Sequence, residues 1–417
     1  MKIAAENSIV AALALLAAAA AIAAAGCNRA RYAPADRPQR AQGAPRPRTS
    51  PAGFVYITNN GEGTISEFAR AADGDLEFLR TEKAGAPNGP TGIAIDPSGR
   101  FLYVANEGEG RIHQFRIDRD TGQLLPIGDG SVDDDGVASH PQQIAVSPRG
   151  GFAYVTNSGN AGEGKKNDGS IAEYAIDPST GALKPIETLS GGGLQQPLGI
   201  AFTPDGRFAF VSDAGAGTLV SFAVEPSGKL KLVAATPSLG DKPGRPGLVA
   251  VNPAGSFVYA TDRSTGSVVV AKLAEDGRLS VTKAVHVGVS TSGPFAIAAV
   301  AVGPRVFIYT GNLGIDTVSS LVVKPDGLEH VADCPTGMGY PTGMAIDGSG
   351  RNLYVVNRNA STVARFALAE SGGIALIPAA SIFTEAAPSD TSHPTYIATT
   401  RWDAPASAVP IPAQHAN

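Results

Sequence analysis

Cysteine is nearly missing from this 417-residue chain: there are two, beside one tryptophan and three methionines. Two cysteines cannot build a disulfide framework or a four-thiolate zinc site. Charge is sparse too, at 17% of residues, and the net value of −5 leaves no basic surplus for a nucleic-acid backbone. No nucleic acid is therefore expected as a partner. No Gly-X-Y period appears, which excludes collagen. There is no Gly-x-Ser-x-Gly elbow, Gly-x-Gly-x-x-Gly fingerprint, His-Glu-x-x-His pair or haem-attachment run. Gly159 to Lys165 fits Gly-x-x-x-x-Gly-Lys, but Lys166 stands where a Ser or Thr would hold magnesium, so the match reads as chance.

Glycine and proline, by contrast, are abundant at 50 and 31 residues, and 43% of the chain is apolar. Turn residues together with apolar residues point to many short strands, because Gly and Pro break helix interiors. The charge is also uneven. Arg29, Arg31, Arg37, Arg40, Arg46 and Arg48 face only Asp36 within 27–50, so the remainder is more acidic than the whole.

The N-terminus reads as an address. Ile9 to Ala25 is wholly apolar, about the length of a secretory signal. It leads into Ala24-Ala25-Gly26-Cys27, which resembles a bacterial lipobox. The resemblance implies cleavage before Cys27 and a lipid on its sulfur. On this reading residues 1–26 are a signal peptide and 27–50 a disordered Pro/Arg-rich tether. The body is exported to the periplasm or cell surface, and Cys334 is a solitary thiol.

Internal repeats decide the fold. An aromatic within a Tyr-Val-x-Asn element recurs at Tyr56, Tyr103, Tyr154, Phe210, Tyr259, Tyr309 and Tyr354, about every 50 residues. A second anchor follows each one, such as Phe68, Phe115 and Phe222; in the third copy an insertion delays it to Tyr174. Each copy holds four short runs bounded by turn residues, here called strands A to D. That unit is a propeller blade. The first copy lacks strand A, and the final run His393-Pro-Thr-Tyr-Ile-Ala398 is a strand A without a strand B. The expectation is an all-β, seven-bladed β-propeller over 51–402, closed by strand 394–398 joining the first blade, with a disordered tail at 403–417.

The run Pro90-Thr-Gly-Ile-Ala-Ile-Asp-Pro-Ser-Gly-Arg-Phe-Leu-Tyr-Val-Ala-Asn106, then Asp118 to Leu124, resembles the seven-bladed lactonase family, the propeller-type 6-phosphogluconolactonases and their muconate-cycloisomerase branch. Tyr154-Val-Thr-Asn157 also resembles the repeat of secreted YVTN propellers. The resemblance implies a lactone hydrolase. The family's best-known substrate, 6-phosphogluconolactone, is cytoplasmic, and an exported protein would not meet it.

Strand direction places the D-to-A and B-to-C loops together at one mouth of the central channel. The residues preceding each strand-A proline are Gly89, His140, Gln196, Arg245, Gly293, Tyr340 and His393. His140 or His393 would act as a general base on water, with Arg245 holding an anionic group or the oxyanion. Gln196 and Tyr340 are candidate ligand contacts. The B-to-C loops add Glu107, Asn157 and Arg263. Glu107 and Arg263 break the repeat, whereas an Asn or Asp ends every strand B and reads first as a turn cap. No cofactor is firmly implied. The acidic stretch Gly128 to Gly136 is a candidate calcium site through Asp129, Asp133, Asp134 and Asp135, or simply a solvated loop. The rival reading is a non-catalytic envelope propeller that binds a protein or polysaccharide. A muconate-type cycloisomerase is a third, through His140, Glu107 and Arg245. A monomer is expected.

Overall fold

The computed structural model describes residues 51–134, 140–159, 169–287, 293–325, 327–337, 339–377, 382–383 and 393–400. The expected signal peptide, tether and tail, Cys27, Asp135 and most of the insertion in the third copy lie outside the described residues.

Gly and Pro punctuation cuts the chain into short strands, and among the described residues these form seven antiparallel sheets and no helix. Each sheet follows the order A-B-C-D; one carries an additional two-residue strand, Ile382–Phe383, beside its strand C. In chain order the inner A strands are Pro90–Ile95, Pro141–Val146, Pro197–Phe202, Pro246–Val251, Pro294–Val302 and Pro341–Ile346, for blades two to seven. Blade one takes its inner strand from the far end of the chain. Pro394–Thr399 pairs with Gly53–Asn59 through Val55↔Thr399, Tyr56↔Ala398, Ile57↔Ile397 and Asn59↔Pro394. The ring therefore closes as the repeats require, and no inner sheet edge is left open.

The apolar cores lie between blades, because each strand B is covered by the neighbouring sheet. Phe101–Asn106 is buried at every position, while the outer strand Leu279–His286 alternates. One core joins Tyr103 and Ile112 of blade two to Val155 and Tyr174 of blade three. The repeated Phe-x-Tyr acts as a latch to the next blade. The hydroxyls of Tyr56, Tyr103, Tyr154 and Tyr354 donate to the carbonyls of Gly122, Gly181, Gly228 and Gly74 at 2.7–2.8 Å. Gly181 shows why the acceptor is a glycine. Its φ is +79°, and a Cβ there would come within 2.3 Å of the Phe101 ring. Blade six departs: the Gly372 carbonyl is taken by the Ser320 hydroxyl, and the Tyr309 hydroxyl is buried without a partner.

Strand C carries a second link. Glu67, Gln114 and Glu173 accept the first strand-D N–H of the following blade, from Leu124, Leu183 and Leu230 respectively. Where blades seven and one meet, buried Arg70 lies 3.6 Å from buried Asp347, and Arg365 pairs with Asp75.

Two expectations need correction. The acidic stretch is not a free loop up to its aspartates, because strand D of blade two, Leu124–Asp133, runs through it. Arg111 stands opposite Asp133 in that ladder, so backbone pairing extends to the end of the stretch's first half. Cys334 is buried and disulfide-bonded, not a solitary thiol.

Tyr103→Phe is expected to lower stability by about 1–3 kcal/mol, since it strands a buried carbonyl. Tyr309→Phe is expected to be close to neutral; denaturant unfolding of both variants checks the pair. Burial pushes the Glu173 carboxyl from its ordinary 4.5 up to about 7, with the Leu230 N–H opposing, Glu187 and Glu225 adding to the rise and Lys229 reducing it. The folded state thus holds this proton more tightly than the unfolded chain. Its stabilising effect is complete below about pH 4.5 and is lost as pH climbs through about 7. Glu173→Gln, which copies Gln114 of blade two, is expected to raise stability at pH 8 on the order of 1–3 kcal/mol and to change little at pH 4.5. Thermal melts across pH read this out.

Candidate functional site at the channel mouth

The two rings of candidate residues meet through the backbone in every blade. The carbonyl of each residue before a strand-A proline accepts the N–H of the residue just after strand B. The pairs are Gly89 with Glu107, His140 with Ser158, Gln196 with Ala214, Arg245 with Arg263, Gly293 with Leu313, Tyr340 with Arg358 and His393 with Asn60. One face of the ring thus carries Glu107, His140, Gln196, Arg245, Arg263, Tyr340 and His393.

Backbone strain marks the same positions. His140, Tyr340 and His393 have φ of 42°, 68° and 41°, in the left-handed region that non-glycine residues seldom occupy. Each costs about 1–3 kcal/mol and persists only where its surroundings hold it. A β-bulge follows within every inner strand, for instance between Pro141 and Gln143. Such bulges re-aim side chains near active sites.

Within this rim the structure brings Glu107 and His140 together. His140 Nδ1 lies 3.4 Å from Glu107 Oε1, and the side chains are 42% and 34% exposed, open enough to meet a solute. The two residues come from adjacent blades, so only the closed ring creates the pair. A carboxylate on one imidazole nitrogen fixes the ring and orients the other nitrogen. Blade five adds two cations. Arg245 is exposed, and the Arg263 guanidinium lies 5.8 Å from the Phe295 ring centre. Arg358 sits half-buried at the register of Glu107 and Arg263 in blade seven. From sequence it falls in the same ring of B-to-C loops, after a strand-B Asn, but without being singled out as a candidate. Tyr340 is 37% exposed, and Gln196 is half-buried with its N–H bound to Asp213.

The strand-B Asn and Asp residues are caps. Asp262 accepts N–H groups from Arg245, Ser264 and Thr265, and Asn106 accepts from Glu109. Asn157 is buried and donates to Ser170 Oγ at 3.3 Å, which places it beneath the rim. A second pair, His113 and Glu109 at 3.2 Å, is closed over by Gly85, where a Cβ would come within 2.7 Å of both. Burial pushes His113 below its ordinary value, against the pull of Glu109. This pair is a structural contact.

The described acidic candidates have separate surroundings. Asp129 is exposed, Asp133 pairs with Arg111 at 2.5 Å, and Asp134 accepts the Tyr174 hydroxyl at 3.1 Å. Among the described residues no group of three His, Cys, Asp or Glu side chains is placed to hold a metal. A cleft of about 500 Å³ lies on the opposite face, between Asp73, Val302, Arg351 and Glu370. Its lining contains no His.

Seven four-stranded blades with a polar rim at one mouth define a seven-bladed β-propeller. The family model described as lactonase, 7-bladed β-propeller, matches residues 28–137, 193–292 and 275–386. The chain belongs to this family. No curated protein matches the sequence. Solved structures share the fold at low identity. A proposed 6-phosphogluconolactonase of Bacteroides uniformis is 20% identical, with a TM-score of 0.68, covering 84% of this chain and 99% of that one. One from Bacteroides fragilis gives 20%, 0.68, 85% and 100%. The periplasmic gluconolactonase of Pseudomonas aeruginosa gives 19%, 0.65, 83% and 98%.

Proposed function

We propose that this protein is an exported lactonase that hydrolyses a sugar lactone at the channel mouth. The observation that carries the reading is the half-exposed Glu107–His140 pair at 3.4 Å on a rim that also holds arginines. In the proposed reaction His140 takes a proton from water while Glu107 orients the ring and steadies its charge. The water oxygen bonds to the lactone carbonyl carbon. The tetrahedral intermediate then expels the ring oxygen, which takes the proton from His140, and a hydroxy acid leaves. Arg245, Arg263 and Arg358 would draw in the electron-rich sugar and hold the carboxylate of the product. His393 and Gln196 would contact the sugar from their own blades.

Export is proposed on the apolar run Ile9 to Ala25, and a disulfide at Cys334 fits an oxidising compartment. The Pseudomonas gluconolactonase, named as periplasmic, supports both location and substrate class by its fold alone.

Purified protein with a panel of aldonolactones tests the reading. His140→Gln is expected to lower kcat by about 10²-fold or more, and Arg245→Ala to raise KM with little loss of kcat. Hydrolysis no faster than buffer across the panel, or turnover indifferent to His140→Gln, would sink the proposal.

A further inference from the structure

The second residue of each inner strand stands two places past a rim residue. In blades one, two and seven it is a threonine: Thr395, Thr91 and Thr342 are buried, and their hydroxyls donate to backbone carbonyls. Blades three, four and six depart from this with Gln142, Leu198 and Phe295, all half-buried, and blade five has Gly247. Leu198 and Phe295 belong to none of the apolar cores described between the blades. Two apolar side chains thus stay partly open to water next to the mouth, in the part of the ring that lacks the threonines.

Phe295 is held by its neighbours in blade five. The blade-six ladder shifts between Pro294 and Ala296, so Phe295 is left out of the pairing with strand B, where a bulge redirects a side chain. Its carbonyl accepts the Thr261 hydroxyl at 2.9 Å. The guanidinium of Arg263, a rim residue, lies 5.8 Å from the ring centre, within cation–π range. Gly247 leaves room for this arrangement: a Cβ there would come within 2.5 Å of the Thr261 hydroxyl oxygen and 3.4 Å of the Phe295 ring. The Leu198 carbonyl is fixed in the same way by the Thr156 hydroxyl of blade three, at 2.7 Å. Leu198, Gly247 and Phe295 therefore form an apolar arc through three consecutive blades. The arc starts in the blade next to that of His140, whose carbonyl accepts Gln142 Nε2 at 3.2 Å.

We infer that Phe295 is a substrate-binding platform, on which the C–H face of the sugar-lactone ring lies while Arg245 and Arg263 meet its oxygen-bearing edge; the inference rests on the lactonase reading above. A sugar ring has two kinds of surface. Its hydroxyl and carbonyl oxygens project at the edge, and its C–H groups line the faces. The electron-rich face of an aromatic ring suits the C–H groups, and the arginines suit the oxygens. An apolar wall combined with a few placed polar groups is the usual make-up of a small-molecule site. Covering Phe295 removes apolar surface from water as soon as the substrate binds, before any bond changes. Its contribution is therefore to binding of ground state and transition state alike, and falls on KM rather than kcat.

Phe295→Ala, assayed in the full chain on whichever aldonolactone the wild type turns over, tests it. The expected result is a rise in KM of about 10-fold, from the apolar area no longer covered, with kcat, the pH profile and the melting temperature close to wild type. Phe295→Trp keeps an aromatic face and is expected to keep KM near that of the wild type. A folded Phe295→Ala with wild-type KM overturns the inference and leaves the lactonase reading intact; so does a variant that loses kcat at unchanged KM. If Phe295→Ala fails to fold, Phe295→Leu decides, since it keeps an apolar side chain and loses the aromatic face. Its KM is expected to rise, and a wild-type KM overturns the inference. A wild type that turns over none of the panel removes the lactonase reading and this inference with it.

Discussion

Phe54 and Thr400 stand 346 residues apart and are joined by a hydrogen bond from the Phe54 N–H to the Thr400 hydroxyl at 2.9 Å. It lies at the end of the ladder between Gly53–Asn59 and Pro394–Thr399, and the ring depends on that ladder. Without it blade one has three strands, blade seven has an uncovered face, and the inner strands no longer surround a channel. The ion pairs Arg70–Asp347 and Arg365–Asp75 sit where blades seven and one meet. A buried pair of this kind is costly to break from one side, because the remaining charge has no partner. The closing strand also brings His393 to the mouth, so the same pairing that completes the fold completes the rim.

The repeats work by linking each sheet to the next. A strand-B tyrosine reaches the glycine carbonyl of the following C-to-D turn, and a strand-C Glu or Gln takes the first N–H of the following strand D. Both links run in one direction around the ring. Blades two, three and four receive both links from their predecessors, and blade one receives the tyrosine link from blade seven. The blade-six exception, with Ser320 on Gly372, shows that the acceptor can be served by another donor at the same depth.

Deviations from the repeat collect on one face. Left-handed His140, Tyr340 and His393 and the arginines of blades five and seven all lie at the mouth. The opposite face holds the regular Pro-x-Gly turns. A scaffold that repeats on one side and varies on the other concentrates its specificity where variation is structurally cheap. The chain belongs to the lactonase family, and on the proposed reading the rim residues carry its chemistry.

Much of this was legible in the linear chain. Tyr56 to Tyr354 at near-constant spacing count the blades, and His393-Pro394 with no strand B after it announces the closure, because the first blade lacks an inner strand of its own. The Asn and Asp caps were legible for the same reason: a residue needed in every turn recurs in every copy. The rest required the ring. Glu107 and His140 belong to different blades, and only packing of sheet on sheet sets them 3.4 Å apart. Tyr396 looks in sequence like one more strand residue, and its packing beside Ile93 and Leu102 exists only once the last strand lies beside the first blade. The state of Cys334 likewise could not be read from spacing. Periodicity encodes local turns and pairing, which repeat along the chain; contacts between blades depend on where the closed ring places each residue, and that is a property of three dimensions alone.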